Sequence, residues 1–168
     1  NLPFILSVAG LNINLIKKYV KNFDKNKISL MEGYQNFPTK IYDVNLNKIS
    51  FLKKTFPNIS IGYADHIDGN DNLFSNIISL MAISLGANII EKHVTIDRSK
   101  KENDYYSSLD PKEFKEFVRN IKLGYSSLGN IKISKTENKY VEFSKKFMVA
   151  SRFLKKGEII KKSNVTFK

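Results

Sequence analysis

Ile59-Ser60-Ile61-Gly62-Tyr63-Ala64-Asp65-His66 and Asn88-Ile89-Ile90-Glu91-Lys92-His93-Val94 are two short apolar runs, and each carries a histidine at or near its end. Between them, Leu73, Ile77, Leu80, Met81 and Leu85 recur at helical spacing, and Gly86 stands where a left-handed residue would close that helix. Strand, helix and strand in this order predict a parallel β/α unit. The runs are rich in β-branched and large apolar residues, as strands covered on both faces require.

The same pattern extends in both directions. Upstream lie the runs Phe4–Val8 and Ile28–Met31. The helical stripes Ile13, Ile16, Tyr19, Val20 and Leu46, Ile49, Leu52, Phe56 follow them in turn. Downstream, Phe114, Phe117, Val118 and Ile121 mark a fourth helix. Asp110-Pro111 places a capping side chain before a proline at the first helical position, and Glu113 stands where a capping box needs it. The four units end near Leu128, whereas a closed eight-stranded barrel needs about 250 residues. An open flavodoxin-like sheet is the competing fold, but no Gly-rich phosphate-binding turn follows the first strand. The expected class is α/β, with half of a (β/α)8 TIM barrel over residues 1–129.

Beyond Leu128-Gly129 the character changes. Residues 130–146 are polar and charged and read as a linker, with one helical turn around Lys139–Ser144. Phe147-Met148-Val149-Ala150 reads as a strand, and Leu154-Lys155-Lys156-Gly157-Glu158 as a turn leading to Ile159-Ile160. Residues 147–168 are therefore expected to open a second, small β-rich domain that is incomplete here.

Composition narrows the function classes. The chain has 168 residues and no cysteine, which excludes disulfides, thiolate metal sites and catalytic thiols. It begins at Asn1, just before a strand, and reads as cut from something longer. No segment has the pattern of a signal peptide or the length of a membrane span, so a cytoplasmic protein without membrane partners is expected. The net charge of +12 is carried by scattered lysines without an aromatic-interleaved basic motif. That disfavours nucleic acid as a partner but suits small anionic substrates.

Chemistry concentrates at the strand ends. His66 and His93 are the two histidines of the chain, at equivalent places on consecutive strands. In parallel barrels the loops converge at that end to build active sites. Imidazoles there are either structural or ligands for a divalent transition metal. Glu91 lies two residues before His93 and so projects to the same side of the strand. It can act as a further ligand or orient a metal-bound water, or else pair with a nearby lysine. Asp65 should face the opposite way. The polar loop from Asp97 to Ser108, with Asp104, Tyr105-Tyr106 and Ser107-Ser108, exceeds a plain connection and offers hydrogen-bonding groups for a sugar. The segment Glu32 to Thr39, including Gln35 and Phe37, either holds a polyol or carboxylate or simply turns.

These residues fall into an ordered set of motifs that resembles the N-acetylneuraminate (sialic acid) synthase family. Gly62-Tyr63-Ala64-Asp65-His66 is similar to its Gly-x-Ser-Asp-His segment, and Glu91-Lys92-His93-Val94-Thr95-Ile96-Asp97 to its Glu-Lys-His-Phe-Thr-Leu-Asp. Pro38-Thr39, Asp43-Val44-Asn45-Leu46, Ile5-Leu6-Ser7 and the run Asp104 to Phe114 match further stretches in the same order. Val149-Ala150 and Lys156-Gly157-Glu158 resemble the start of the family's C-terminal antifreeze-like (SAF) domain. The resemblance implies the C-terminal half of the synthase barrel, and a condensation. Phosphoenolpyruvate adds through C3 to the aldehyde of an open-chain N-acylated amino sugar, water attacks C2, and phosphate leaves. The product is a nine-carbon 2-keto-3-deoxy acid.

By the same resemblance, His66 and His93 hold a divalent metal, typically Mn²⁺, with Mg²⁺ or Co²⁺ as alternatives. Glu91 and His66 would be the catalytic residues beside it. Ser7 lies near phosphoenolpyruvate, Gln35 and Phe37 line the substrate site, and Asp104 binds the sugar. The full-length enzyme is expected to be a homodimer in which the SAF domain reaches the partner's site. This chain alone, lacking the first half of the barrel, is expected to be inactive. A different metal-dependent barrel enzyme, such as a hydrolase, and a non-catalytic fragment are the rival readings. Ala64 stands where the family has serine, Gln35 and Phe37 where it has Asn and Tyr, Val8-Ala9-Gly10 where it has Thr-Gly-Met, and Tyr105 where many members have His. The acceptor accordingly stays open between N-acetylmannosamine and a bacterial diacetamido sugar.

Overall fold

Parallel strands that advance in one direction across a sheet leave right-handed crossovers a single face for their helices. The computed structural model, which describes residues 2–168, has this arrangement in the first of two compact units, divided between Leu128 and Gly129. Its elements are β1 (Phe4–Ser7), α1 (Ile13–Val20), β2 (Ile28–Glu32), α2 (Asn47–Thr55), β3 (Ser60–Asp65), α3 (Asn72–Ser84), β4 (Ile89–Lys92) and α4 (Pro111–Ser126). The strands pair in the order β1-β2-β3-β4, and every pairing is parallel. The fold class is therefore α/β with a parallel sheet.

The pleat sorts the strand residues. Phe4, Leu6, Leu30, Ile61, Tyr63 and Ile90 face the helices and join Ile16, Val20, Ile49, Leu52, Ile78 and Ala82 in one core. Each fully buried aliphatic side chain of this kind contributes about 1.5–3 kcal/mol. The alternate positions Ile5, Ser7, Met31, Gly62, Ala64 and Glu91 lie on the other face, which is open at its margins: Ile5 and Ser7 on β1 and Glu91 on β4 are exposed.

Two helical stripes differ from expectation. On α3 the buried residues are Ser75, Ile78, Ser79 and Ala82, whereas Leu73, Ile77 and Met81 are exposed. Small side chains let this helix approach the sheet closely, and Leu80 turns instead toward α4, where Gly124 leaves room for it. Tyr19 on α1 is likewise exposed, and Ile16 and Val20 carry that contact. The predicted termination at Gly86 is present (φ 108°), and Glu113 returns to the Asp110 N–H at 2.8 Å at the start of α4. β4 is shorter than the apolar run suggested, ending at Lys92, while Val94 bridges to Leu109 instead.

The second unit, residues 129–168, contains α5 (Lys135–Ser144) and the antiparallel pair β5 (Met148–Ala150) and β6 (Val165–Phe167). The helix is longer than the single turn expected within a linker. Its start is fixed by a capping box in which Glu137 accepts from the Ser134 N–H at 2.6 Å and Ser134 Oγ accepts from the Glu137 N–H at 3.1 Å. Asn164 alone is buried among these residues. No helix among the described residues is long and apolar enough to cross a membrane.

The loops after β3 and β4 are locked together at Gly69. Its N–H donates to the Tyr106 carbonyl at 2.6 Å, and a Cβ there would fall on the Ser108 carbonyl oxygen. Arg98 closes the junction from the side. One guanidinium nitrogen donates to the carbonyls of Gly69 (3.0 Å) and Ser108 (2.9 Å), while the planar fork grips Glu113 at 2.7 and 2.9 Å. Gly69→Ala forces this backbone contact apart, and overpacking of that kind costs about 1–3 kcal/mol. The expected outcome is a Tm lowered by roughly 3–10 °C in thermal unfolding followed by circular dichroism. An unchanged Tm would mean that the loops are not locked here.

Candidate functional site

Side-chain parity places Asp65, like Ile61 and Tyr63, on the helix side of β3, where it is fully buried. A lone carboxylate there would carry a heavy desolvation cost, and each of its oxygens is accordingly occupied. Oδ1 accepts the Ile67 N–H at 3.0 Å, and Oδ2 accepts the Ser75 hydroxyl of α3. Lys92, the register partner of Asp65 on β4, brings its ammonium to 3.1 Å from Oδ2 and donates to the Ile67 carbonyl at 2.9 Å. Burial holds the Lys92 ammonium below its ordinary range, with Asp65 opposing that shift.

His66 leaves the end of β3 beside this pair. Its carbonyl accepts from the Thr39 N–H and from the Ser107 hydroxyl, each at 2.8 Å. Its Nδ1 lies 2.7 Å from the Tyr34 carbonyl, which can only accept, so Nδ1 carries the proton and Nε2 offers a lone pair. The ring is 4.4 Å from Phe37 and 5.3 Å from His93, centroid to centroid, and Phe37 meets His93 edge-on at 5.4 Å. His93 follows β4, and its carbonyl accepts the Leu109 N–H at 2.9 Å. Asp104, in a left-handed conformation (φ 58°), brings Oδ2 to 3.9 Å from His93 Nδ1. Burial lowers the basicity of His66. The Tyr34 carbonyl opposes this, His93 adds to it, and Asp65 and Glu91 oppose it.

The structure thus gathers Phe37, His66, His93 and Asp104. Glu91 stands next to Ala64 on the open face, close enough for its charge to act on His66, and it forms no ion pair among the described residues. Ser7 is exposed at the end of β1, and Gln35 is exposed in the loop after β2. Among the described residues, no hydrogen bond joins either of them to the histidines. Among the described residues, no group of three or more histidine or acidic side chains gathers closely enough to hold a metal ion by itself. The sequence reading missed Lys92, although its register opposite Asp65 follows from aligning the two histidine-ending runs. It also missed Arg98 and the pairing of buried Glu32 with Lys48 at 3.0 Å.

Residues 1–133 match the NeuB family, and the chain belongs to it. It is 34% identical over 175 residues to N,N'-diacetyllegionaminic acid synthase of Campylobacter jejuni, covering 100% of this chain and 50% of that protein. It is 37% identical over 168 residues to pseudaminic acid synthase of the same species, covering 97% and 47%. The crystal structure of N-acetylneuraminic acid (sialic acid) synthetase from Leptospira borgpetersenii superposes with a TM-score of 0.74 at 31% identity, over 84% of this chain and 49% of that one. The chain spans about half the length of the curated relatives it matches.

The geometry fixes how His66 titrates. Its folded-state pKa lies below the ordinary value of 6.5, so between the two the unfolded chain binds a proton that the folded chain does not. The contribution of His66 to stability is complete above about pH 6.5, falls as the pH drops toward the folded pKa, and is constant below it. In metal-free chain, ¹H–¹⁵N imidazole correlations should show the Nδ1–H tautomer and a midpoint below that of free histidine. A midpoint at or above the free value would contradict the buried placement.

Proposed function

We propose that this chain is the C-terminal half of a (β/α)8 barrel synthase that condenses phosphoenolpyruvate with an open-chain N-acylated amino sugar, releasing phosphate. The carrying observation is the meeting of His66, His93, Phe37 and Asp104 at the C-terminal ends of β3 and β4, where a parallel barrel builds its active site. Membership of the family, with relatives named as legionaminic and pseudaminic acid synthases, supports the reaction class. On this reading the acceptor is N-acetylmannosamine or a diacetamido sugar, and the product is a nine-carbon 2-keto-3-deoxy acid.

His66 and His93 would hold a divalent metal, Mn²⁺ first, with Mg²⁺ or Co²⁺ as alternatives. The donor set fits in part: His66 presents its Nε2 lone pair because Nδ1–H is committed to Tyr34. With no third ligand beside them among the described residues, water, substrate or a residue from the rest of the protein completes the set. When bound, such a cation polarises the aldehyde oxygen and acidifies water. Glu91 moves protons at this face. A bond forms between C3 of phosphoenolpyruvate and the aldehyde carbon, water adds at C2, and the C2–O bond to phosphate breaks. Of the two water protons, one ends on the former aldehyde oxygen and the other leaves with phosphate. Asp104 accepts from a sugar hydroxyl, Phe37 covers the histidines from solvent, Ser7 donates to phosphoenolpyruvate, and Gln35 contacts substrate.

Residues 147–168 are the opening of an SAF domain, a reading supported by the β5–β6 pair. The whole enzyme is a cytoplasmic homodimer, and this chain alone is inactive. In the full-length protein, phosphate should be released from phosphoenolpyruvate only when an N-acylated aldose is present. His66→Ala, His93→Ala and Glu91→Gln should each lower kcat/KM about 10²–10⁴-fold. Phosphate release without sugar, or full activity in both histidine variants, would overturn the reading. Turnover by the 168-residue chain alone would overturn its incompleteness.

A further inference from the structure

Lys92 stands one residue before His93, yet its side chain leaves the open face and ends beside the residue that follows His66. Its ammonium donates to the Ile67 carbonyl at 2.9 Å and lies 3.1 Å from Asp65 Oδ2. The Ile67 N–H in turn donates to Asp65 Oδ1 at 3.0 Å. Both main-chain polar groups of Ile67 are therefore tied to one ion pair, whose side chains are 1% and 0% exposed. His66 lies between the two residues so held, with its own carbonyl taken by Thr39 and Ser107.

A buried ion pair is weak evidence of a stabilising role, since well-packed apolar residues of similar volume often serve as well. What it supplies, and they cannot, is direction: three hydrogen-bond donors at one point, with one place to put them. The tie joins the main chain just before His93 to the main chain on either side of His66. We propose that Lys92 is a positioning residue, and that its pair with Asp65 sets the ring orientation and spacing of His66 against His93. Through that spacing the pair controls how tightly the two imidazoles hold a divalent cation. The second half of this inference rests on the metal reading of the two histidines.

The test compares the full-length wild-type protein with Lys92→Met, which strands the buried carboxylate, and with the double variant Asp65→Asn/Lys92→Met, which removes both charges. Folding is followed by circular dichroism, the His66 tautomer by ¹H–¹⁵N correlation in metal-free protein, and Mn²⁺ uptake by titration calorimetry. The double variant is expected to fold, to lose the single Nδ1–H tautomer of His66, and to bind Mn²⁺ about 10–100-fold more weakly. A folded double variant that keeps both the tautomer and the wild-type affinity overturns the proposal. So does one that fails to fold, because the pair is then a requirement of folding rather than of positioning. If the full-length wild-type protein takes up no Mn²⁺, the metal reading fails, and the tautomer alone decides whether Lys92 positions His66.

Discussion

A carboxylate buried on the helix side of a parallel sheet has to be fully partnered, and the pairing of Asp65 with Lys92 meets that demand. Much of the site geometry follows from it. The pair requires β3 and β4 in their observed register. It requires α3 to present Ser75 rather than a bulky residue to the sheet. It brings the Ile67 main chain inward, and with it the turn that carries His66. The open face of the same two strands then receives Ala64, Glu91 and the two imidazoles. One ionic contact on the covered face thus ties together the two strand ends from which His66 and His93 follow.

The sequence makes the strand–helix alternation legible because continuous apolar runs and helical stripes have different periods. Asp110-Pro111 with Glu113 marks the start of α4 because capping is a local matter, settled within four residues. The buried face of α3 is not legible in this way. Hydropathy favours Leu73, Ile77 and Met81, but the sheet accepts Ser75, Ser79 and Ala82 for their size and for one hydroxyl. Composition likewise suggests a linker where α5 forms, because charged residues such as Lys135 and Glu142 are good helix formers as well as solvated ones. Once Ser134 and Glu137 cap the segment, their propensity decides.

For the site, the placement of His66 and His93 follows from strand-end reasoning, and their proximity is a direct result of parallel pairing. Asp104 is legible as part of a long polar loop and by family pattern, but its meeting with His93 is not, since ten residues separate the two and no periodicity links them. Gln35 and Ser7 carry no structural mark of function in this chain. Both are exposed. Lys92 went unread because charge inside an apolar run invites attention to the open face, where Glu91 lies, rather than to the covered one.

The loop after β4 is built in two parts. Ser107, Ser108 and Leu109 are buried: Ser107 and Arg98 are bonded to the turn that holds His66, and Leu109 to the His93 carbonyl, while residues 99–104 are exposed throughout. Asp104 is bonded to the anchored part, its carbonyl accepting from the Ser107 N–H and the Ser108 hydroxyl, whereas residues 99–103 lie outside it. On the proposed reading, descent with modification can therefore retune which sugar is accepted without reopening the reaction centre. Innovation is confined to a surface arc, and inheritance to the part beneath it.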